Sequence, residues 1–280
     1  MDKNLYRHFL WHLLYTESLL EANLDGNISE ENAKALALGM EQNEIILTSI
    51  LKTGGAAPAC NCPVCGAKFH FYLPFGETPR KNQCPNCQSV ERHRALWIIL
   101  NALQIEYRGM KILHFAPELI FHKRFSAIPD VDYYPVDLNP KAFGIRKVVD
   151  ITDIPFDDNT FDLIMCTHVL EHIPDDKKAM SELYRVLKPN KGVALLTVPI
   201  DSSRATTLEN PEYNTPELRL KYYGQADHVR KYGLDYPDRL RAVKFSVEEI
   251  TLGKVFSNDD LKKFGINGNE KFHICRKLIE

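Results

Sequence analysis

The sequence predicts an α/β protein built on a parallel sheet, preceded by a helical segment and a cysteine-bearing module. Three observations predict it. Residues 148–199 read as strand, turn, strand, helix, strand, the repeating unit of a parallel sheet. Two candidate strands end in acidic residues, Asp137 and Asp150, where the carboxyl ends of parallel strands face a common crevice. Four of the seven cysteines form two C-P-x-C pairs well before that region.

With 280 residues, 44% hydrophobic and 26% charged, the chain can bury one sizeable core and carry an appendage. Its 35 Lys+Arg against 37 Asp+Glu leave a formal charge of −2, which exerts no global pull on nucleic acid or an anionic membrane. A local basic patch stays open. No apolar run approaches the roughly 20 residues that span a bilayer. The apolar N-terminus is interrupted by His8, His12 and Glu17, and no small-residue cleavage site follows. A cytoplasmic protein with no membrane partner is expected.

Residues 1–57 read as helical. Leu5, Phe9, Leu13 and Leu20 make one apolar stripe, and Ala35, Leu38, Ile45 and Ile46 part of another. Asn27-Ile28-Ser29-Glu30 turns between them, with Ser29 as N-cap. A helical hairpin of this kind packs on the main domain or on a second subunit, so a homodimer through these helices is one partner expectation.

Residues 58–92 read as a zinc ribbon. Cys62-Pro-Val-Cys65 and Cys84-Pro-Asn-Cys87 are two knuckles whose four thiolates can close a tetrahedral Zn²⁺ site. Four protein ligands leave no position for a reacting water, so the metal is structural, and so small a module needs it to fold. Cys60 is a spare thiol that can stand in for Cys62. The following Glu91-Arg92-His93-Arg94 run opens a helix expected over 97–103. It is either an anion-contacting surface or a salt-bridged face.

Residues 93–280 form the main domain. Its first strand, 111–115, runs into Ala116-Pro117-Glu118, and its second, 132–137, ends on Asp137. The third ends on Asp150. After the apolar run 161–166, Met180, Leu183, Tyr184 and Leu187 recur at helical spacing, and Lys188-Pro189-Asn190-Lys191-Gly192 stops that helix before a strand at 193–198. Residues 201–237, rich in Tyr, Pro and charge, form an insertion able to act as a lid. A strand at 242–247, a helix at 259–264 and a strand at 271–276 close the chain.

Over residues 150–192 the order of motifs resembles class I S-adenosylmethionine (SAM)-dependent methyltransferases of the type 11 group. Their pattern D-x-x-x-L-P-F-x-D-x-x-F-D, H-V-L-E-H, L-x-R-V-L-K-P-x-G reads here as Asp150 to Phe156, Asp158, Phe161-Asp162, His168 to His172, and Leu183 to Gly192. Ile154 replaces the leucine, and Gly192 falls one residue late. The element Asp227-His228-Val-Arg230-Lys-Tyr232-Gly233 also resembles that group. The resemblance implies a Rossmann-like sheet of seven mostly parallel strands with one antiparallel edge strand. It further implies SAM contacts from His114, Ala116, Glu118, Asp137, Leu138, Asp150, Ile151, Cys166 and Thr167. Asp137 would take the ribose hydroxyls, Asp150 the adenine amino group, and Glu118 the ammonium group. Glycines expected in the first loop are absent, and Ala116 is small enough to serve the turn.

His168 and His228 are the candidate catalytic residues, since a neutral imidazole can take a proton near neutral pH. His168 can equally orient its loop without chemistry. Tyr223, Asp227 and Arg230 are candidate acceptor contacts, Arg230 by forking a carboxylate or phosphate or else by pinning the lid internally. His168-Val-Leu-Glu171-His172 also satisfies the zinc-peptidase pattern H-x-x-E-H. That pattern needs both histidines on one helix face, whereas here it starts at a strand end with Pro174 close behind. The expected activity is methyl transfer to an O or N atom of a small or medium polar acceptor. Two alternatives are an RNA methyltransferase docking through the zinc ribbon, with nucleic acid as partner, and a non-catalytic binding protein of the same fold.

Overall fold

The computed structural model describes residues 37–41, 43, 57–75 and 80–279. Of the expected N-terminal helices only 37–41 and 43 fall within it, as helix; the rest, and the homodimer they would build, lie outside the described residues. The chain divides into two compact units, Met1–Ile105 with Leu252–Gly268, and Glu106–Thr251 with Asn269–Glu280.

From Cys60 the first unit holds two small antiparallel pairs. Strand β1 (Cys60–Asn61) pairs with β2 (Lys68–Phe69), and β3 (Leu73–Phe75) with β4 (Arg80–Gln83). Helix α1 spans Glu91–Ala102, starting before the expected Trp97. Its start is set by His93, whose Nδ1 accepts the Val90 amide at 3.3 Å and satisfies an N-terminal donor that the helix itself cannot.

The second unit holds the sheet. In chain order come β5 (Lys111–Phe115), α2 (Leu119–Phe125), β6 (Asp132–Asp137), β7 (Lys147–Val148), β8 (Leu163–Thr167), a 3₁₀ turn (Leu170–His172), α3 (Asp176–Val186), β9 (Val193–Thr197), α4 (Pro216–Tyr223), α5 (Tyr236–Ala242) and β10 (Ser246–Thr251). The chain then returns to the first unit with α6 (Asn258–Phe264) and re-enters the sheet as β11 (Lys271–Arg276). The strand order β10-β11-β9-β8-β5-β6-β7 makes a seven-stranded, mostly parallel, Rossmann-like sheet. The fold class is as expected.

Two local expectations are corrected. The antiparallel strand is β11, which lies next to the edge rather than on it, between β9 and β10. Phe272, His273, Ile274 and Cys275 of β11 are buried, whereas β10 reads Ser-Val-Glu-Glu-Ile-Thr. The apolar strand goes inside and the charged one takes the edge, where unpaired backbone must face water. The strand expected at 242–247 begins only at Ser246. Residues 236–242 are helix, because Pro237 sits in its first turn, where a missing amide costs nothing.

The core cluster draws on both sheet and helix. Leu113, Phe115, Val136, Ile164, Cys166 and Leu196 from the strands meet Ala179, Met180, Leu183 and Val186 of α3. Strands β5, β8 and β9 are buried on nearly every residue, as sheet strands covered on both faces must be.

Candidate functional site

Register places the expected cofactor residues along one edge. Phe115 lies level with Val136 and with Cys166, and Thr167 with Thr197, so Ala116, Asp137 and His168 all emerge at the carboxyl ends of neighbouring strands. That edge is where open α/β sheets take ligands.

Ala116 has φ of 46°, the left-handed region that favours glycine, and its amide donates to Val136 O at 3.0 Å. The first loop therefore keeps a glycine-type backbone with an alanine, at a cost of about 1–2 kcal/mol. Glu118 then turns back onto the sheet. Its Oε1 accepts from Thr167 Oγ1 at 2.5 Å and its Oε2 lies 2.8 Å from His114 Nε2. The other ring nitrogen of His114 meets Tyr133 OH at 3.0 Å. In the sequence Tyr133 carries no signal of this, reading as one more aromatic in a strand.

Asp137 accepts the Asn139 amide at 2.8 Å and is half-buried; Leu138 beside it is exposed. Asp150 lies beyond the end of the two-residue β7, exposed, and accepts from the Thr152 amide and hydroxyl at 2.8 Å each. Those hydrogen bonds hold its carboxyl below the usual range. Ile151 is buried behind it. Cys166 is fully buried, and burial pushes its thiol well up, so it stays neutral and unreactive.

The turn after β8 is the more unusual part. His168 is left-handed, with φ of 55°, and its amide donates to Thr197 O at 2.8 Å. A 3₁₀ turn, not the α-helix of a zinc peptidase, carries Glu171 and His172. This turn is gripped from the 228–232 segment. Arg230 is 1% exposed and donates to Leu170 O at 2.9 Å, Pro174 O at 2.9 Å, Glu209 Oε1 at 3.1 Å, and Ile173 O. Tyr232 OH donates to Asp176 at 2.8 Å, and Arg239 Nη2 to the same carboxylate at 2.7 Å. The Val229 amide donates to Glu171 O at 2.9 Å.

Of the two readings of Arg230, the contacts support internal pinning: its guanidinium is taken up by three backbone carbonyls and Glu209. Tyr223 is likewise buried, its hydroxyl exchanging hydrogen bonds with Asn210 N and O at 3.0 and 3.2 Å. The end of the supposed lid is core, since Tyr232 and Tyr236 belong to the central cluster. Asp227 remains exposed, 3.3 Å from His172 Nδ1. His228 is buried edge-on against His172, ring centroids 4.7 Å apart, and burial holds its imidazole below the ordinary range.

The four expected ribbon cysteines come together in the first unit. Their sulfurs all lie within 4.8 Å of one another, with Cys62–Cys87 at 3.7 Å and Cys65–Cys84 at 3.8 Å. Neither spacing is a disulfide, which would be about 2.05 Å. Four sulfurs around Zn²⁺ at about 2.3 Å would sit about 3.8 Å apart by tetrahedral geometry, so the donor set fits that ion. Each knuckle folds alike: Gly66 N donates to Cys62 O at 2.8 Å and Gln88 N to Cys84 O at 2.9 Å, with Gly66 and Gln88 both left-handed. Cys60 stands apart, its thiol facing His70 O at 3.6 Å, so it does not replace Cys62.

Arg94, from the basic run after the ribbon, is 0% exposed and buried in the same unit. It donates to Asn82 O at 2.8 Å, to Ser89 O, and to Phe264 O and Gly265 O at 2.8 and 2.5 Å. It thus caps the carbonyl end of α6, where the helix has no donors of its own. Arg94 is buried on backbone carbonyls and lies on neither of the two surfaces expected for the run.

Comparison with known proteins locates a relationship in the sheet. Residues 122–195 match the family described as "Methyltransferase domain". That stretch runs from α2 to β9 and begins after the alanine loop, where the sequence departs from the family pattern. An uncharacterized protein of Methanocaldococcus jannaschii is 48% identical over 70 residues, 24% of this chain and 30% of that protein. A demethylmenaquinone methyltransferase of Chlamydia caviae is 35% identical over 85 residues, 30% of this chain and 34% of that one. The chain spans about a third or less of the length of these curated relatives. Among solved structures, a SAM-dependent methyltransferase from Mesorhizobium loti aligns at 15% identity over 65% of this chain and 98% of that one, with a TM-score of 0.46.

Proposed function

We propose that the protein is a SAM-dependent methyltransferase acting on an oxygen or nitrogen of a small or medium polar acceptor. The observation that carries this reading is the carboxyl edge of the sheet. There Asp137 ends β6 beside the left-handed Ala116, Glu118 returns to Thr167, and Asp150 follows β7; of these, Asp137, Asp150 and Thr167 lie within the methyltransferase-domain match. Asp137 would accept the ribose hydroxyls of SAM, Asp150 the adenine amino group, and Glu118 the ammonium group. Each is a carboxylate with lone pairs to spare toward a cationic, hydroxyl-bearing ligand. Leu138 would flank the adenine, and the backbone amide of Ile151 would donate to its ring.

SAM supplies a methyl group already activated on a sulfonium. What remains for the chain is to align the acceptor in line with that methyl and to take up its proton where it carries one. His168 suits the role of proton acceptor, because it stands at the strand end and its side chain is partly exposed. His228 suits it less, being buried against His172. On the four sulfurs of Cys62, Cys65, Cys84 and Cys87 we place one structural Zn²⁺.

Calorimetric titration with SAM tests the reading. The wild type should bind, and Asp137→Ala should bind more weakly by about 1.5–3 kcal/mol, roughly 10- to 150-fold, for loss of a charge-assisted acceptor. A wild type that does not bind SAM, or equal affinity in the variant, overturns it.

A further inference from the structure

We propose that Glu171, His172 and His228 form a second metal site, taking a first-row divalent cation at the mouth of the sheet crevice. One ligand atom from each of the three lies within 4.8 Å of the other two. Two imidazoles and one carboxylate are the donor set that suits Mn²⁺, Fe²⁺, Co²⁺ or Zn²⁺, and three protein ligands leave coordination positions open.

A second observation points to the ion independently. Glu171 is 1% exposed, and its Oε2 has no hydrogen-bond partner among the described residues. Among the described residues its Oε1 has only His168 Nδ1, at 3.5 Å, beyond good hydrogen-bonding distance. A carboxylate oxygen buried without a partner is costly, and a cation is the partner that relieves it best. The surroundings are arranged to keep this constellation in place. Asp227 lies 3.3 Å from His172 Nδ1, as a carboxylate does when it orients a metal-binding imidazole. The Val229 amide on Glu171 O and the Arg230 guanidinium on Leu170 O and Pro174 O hold the two ligand segments together.

This arrangement differs from the zinc-peptidase pattern in the same stretch. There Glu171 would be a base and the histidines would stand a helical turn apart; here Glu171 is a ligand, with its chain neighbour and a residue from the insertion. Resting on the methyltransferase reading, the site also names the acceptor chemistry. A hydroxyl bound at an open position loses its proton more readily, as metal-bound water does. An acceptor carrying neighbouring oxygens would chelate the ion.

The test is metal binding itself, without SAM or acceptor. Full-length protein with its ribbon zinc in place is titrated with Mn²⁺, followed by electron paramagnetic resonance, and then with Co²⁺, followed by visible absorption. We expect one Mn²⁺ per chain, and Co²⁺ bands without thiolate charge transfer. His172→Ala and His228→Ala should each weaken Mn²⁺ at least tenfold while retaining ribbon zinc and the wild-type circular dichroism. Should the wild type bind neither ion outside the ribbon, or both variants keep wild-type affinity, the proposal is overturned. SAM affinity measured in parallel separates the two readings: metal binding without SAM binding leaves the site standing and removes only its assignment to methyl transfer.

Discussion

Arg230 shows what one residue can do away from any ligand. It carries a charge into the interior, which costs several kcal/mol, and offsets that cost by donating to three backbone carbonyls and to Glu209. Hydrogen bonds to a charged group contribute about 1.5–3 kcal/mol each, so the full set outweighs the burial and a partial set does not. Arg230→Ala should therefore lower unfolding free energy by about 3–5 kcal/mol in urea titration. Arg230→Lys should recover little of it, since a point charge cannot reach a fan of acceptors that a planar guanidinium spans. If Arg230→Ala were as stable as wild type, the clamp on the 170–174 turn would be immaterial.

Strand β11 shows how an element's place sets the chemistry of its side chains. Because it runs inside the sheet, His273 is buried, packed edge-on to Tyr236 at 4.9 Å. Burial pushes its imidazole down to about 4, against a partial upward pull from Glu249 at 3.5 Å on the neighbouring strand. The folded state then binds a proton less readily than the unfolded chain, where histidine titrates near 6.5. Its contribution is fully present above about pH 6.5 and is lost as pH falls toward about 4. Over that window wild type should lose up to about 3 kcal/mol more than His273→Phe, which keeps the ring contact without the proton. Parallel stability curves for the two proteins would show that His273 does not titrate on unfolding.

At the scale of the molecule, the chain makes one excursion that the order of motifs does not announce. After β10 it leaves the sheet unit, supplies Leu252–Gly268 to the ribbon unit, and returns as β11. Within the ribbon unit Tyr72 lies against Gly265, a left-handed residue whose added Cβ would collide with that ring, and Tyr72 OH donates to Lys263 O at 3.3 Å. With Zn²⁺ on the four cysteines, the metal would hold α1 and α6 as well as the knuckles. Chelation should therefore deprotect amides of residues 58–102 and 252–268 together in hydrogen exchange, while β5, β8 and β9 stay protected. Loss confined to the knuckles would show that the unit stands without its metal.

Much of this was legible in the residues. Periodicity and spacing alone disclosed α3, the buried strands and the doubled knuckles, because apolar spacing and C-P-x-C are local patterns whose meaning survives without a partner. Asp137 was legible for the same reason, marking the end of β6, whereas Asp150 falls two residues past the end of β7. The tertiary structure alone decided three things. It placed β11 inside the sheet, a competition between two strands for one edge. It turned Arg230 and Tyr223 inward, which no run of charge or aromatics along a chain can disclose. And it brought His228 to Glu171 and His172 across more than fifty intervening positions, since ligand sets are made by folding back, and only the buried clamp of Arg230 and Tyr232 fixes where the chain folds back to.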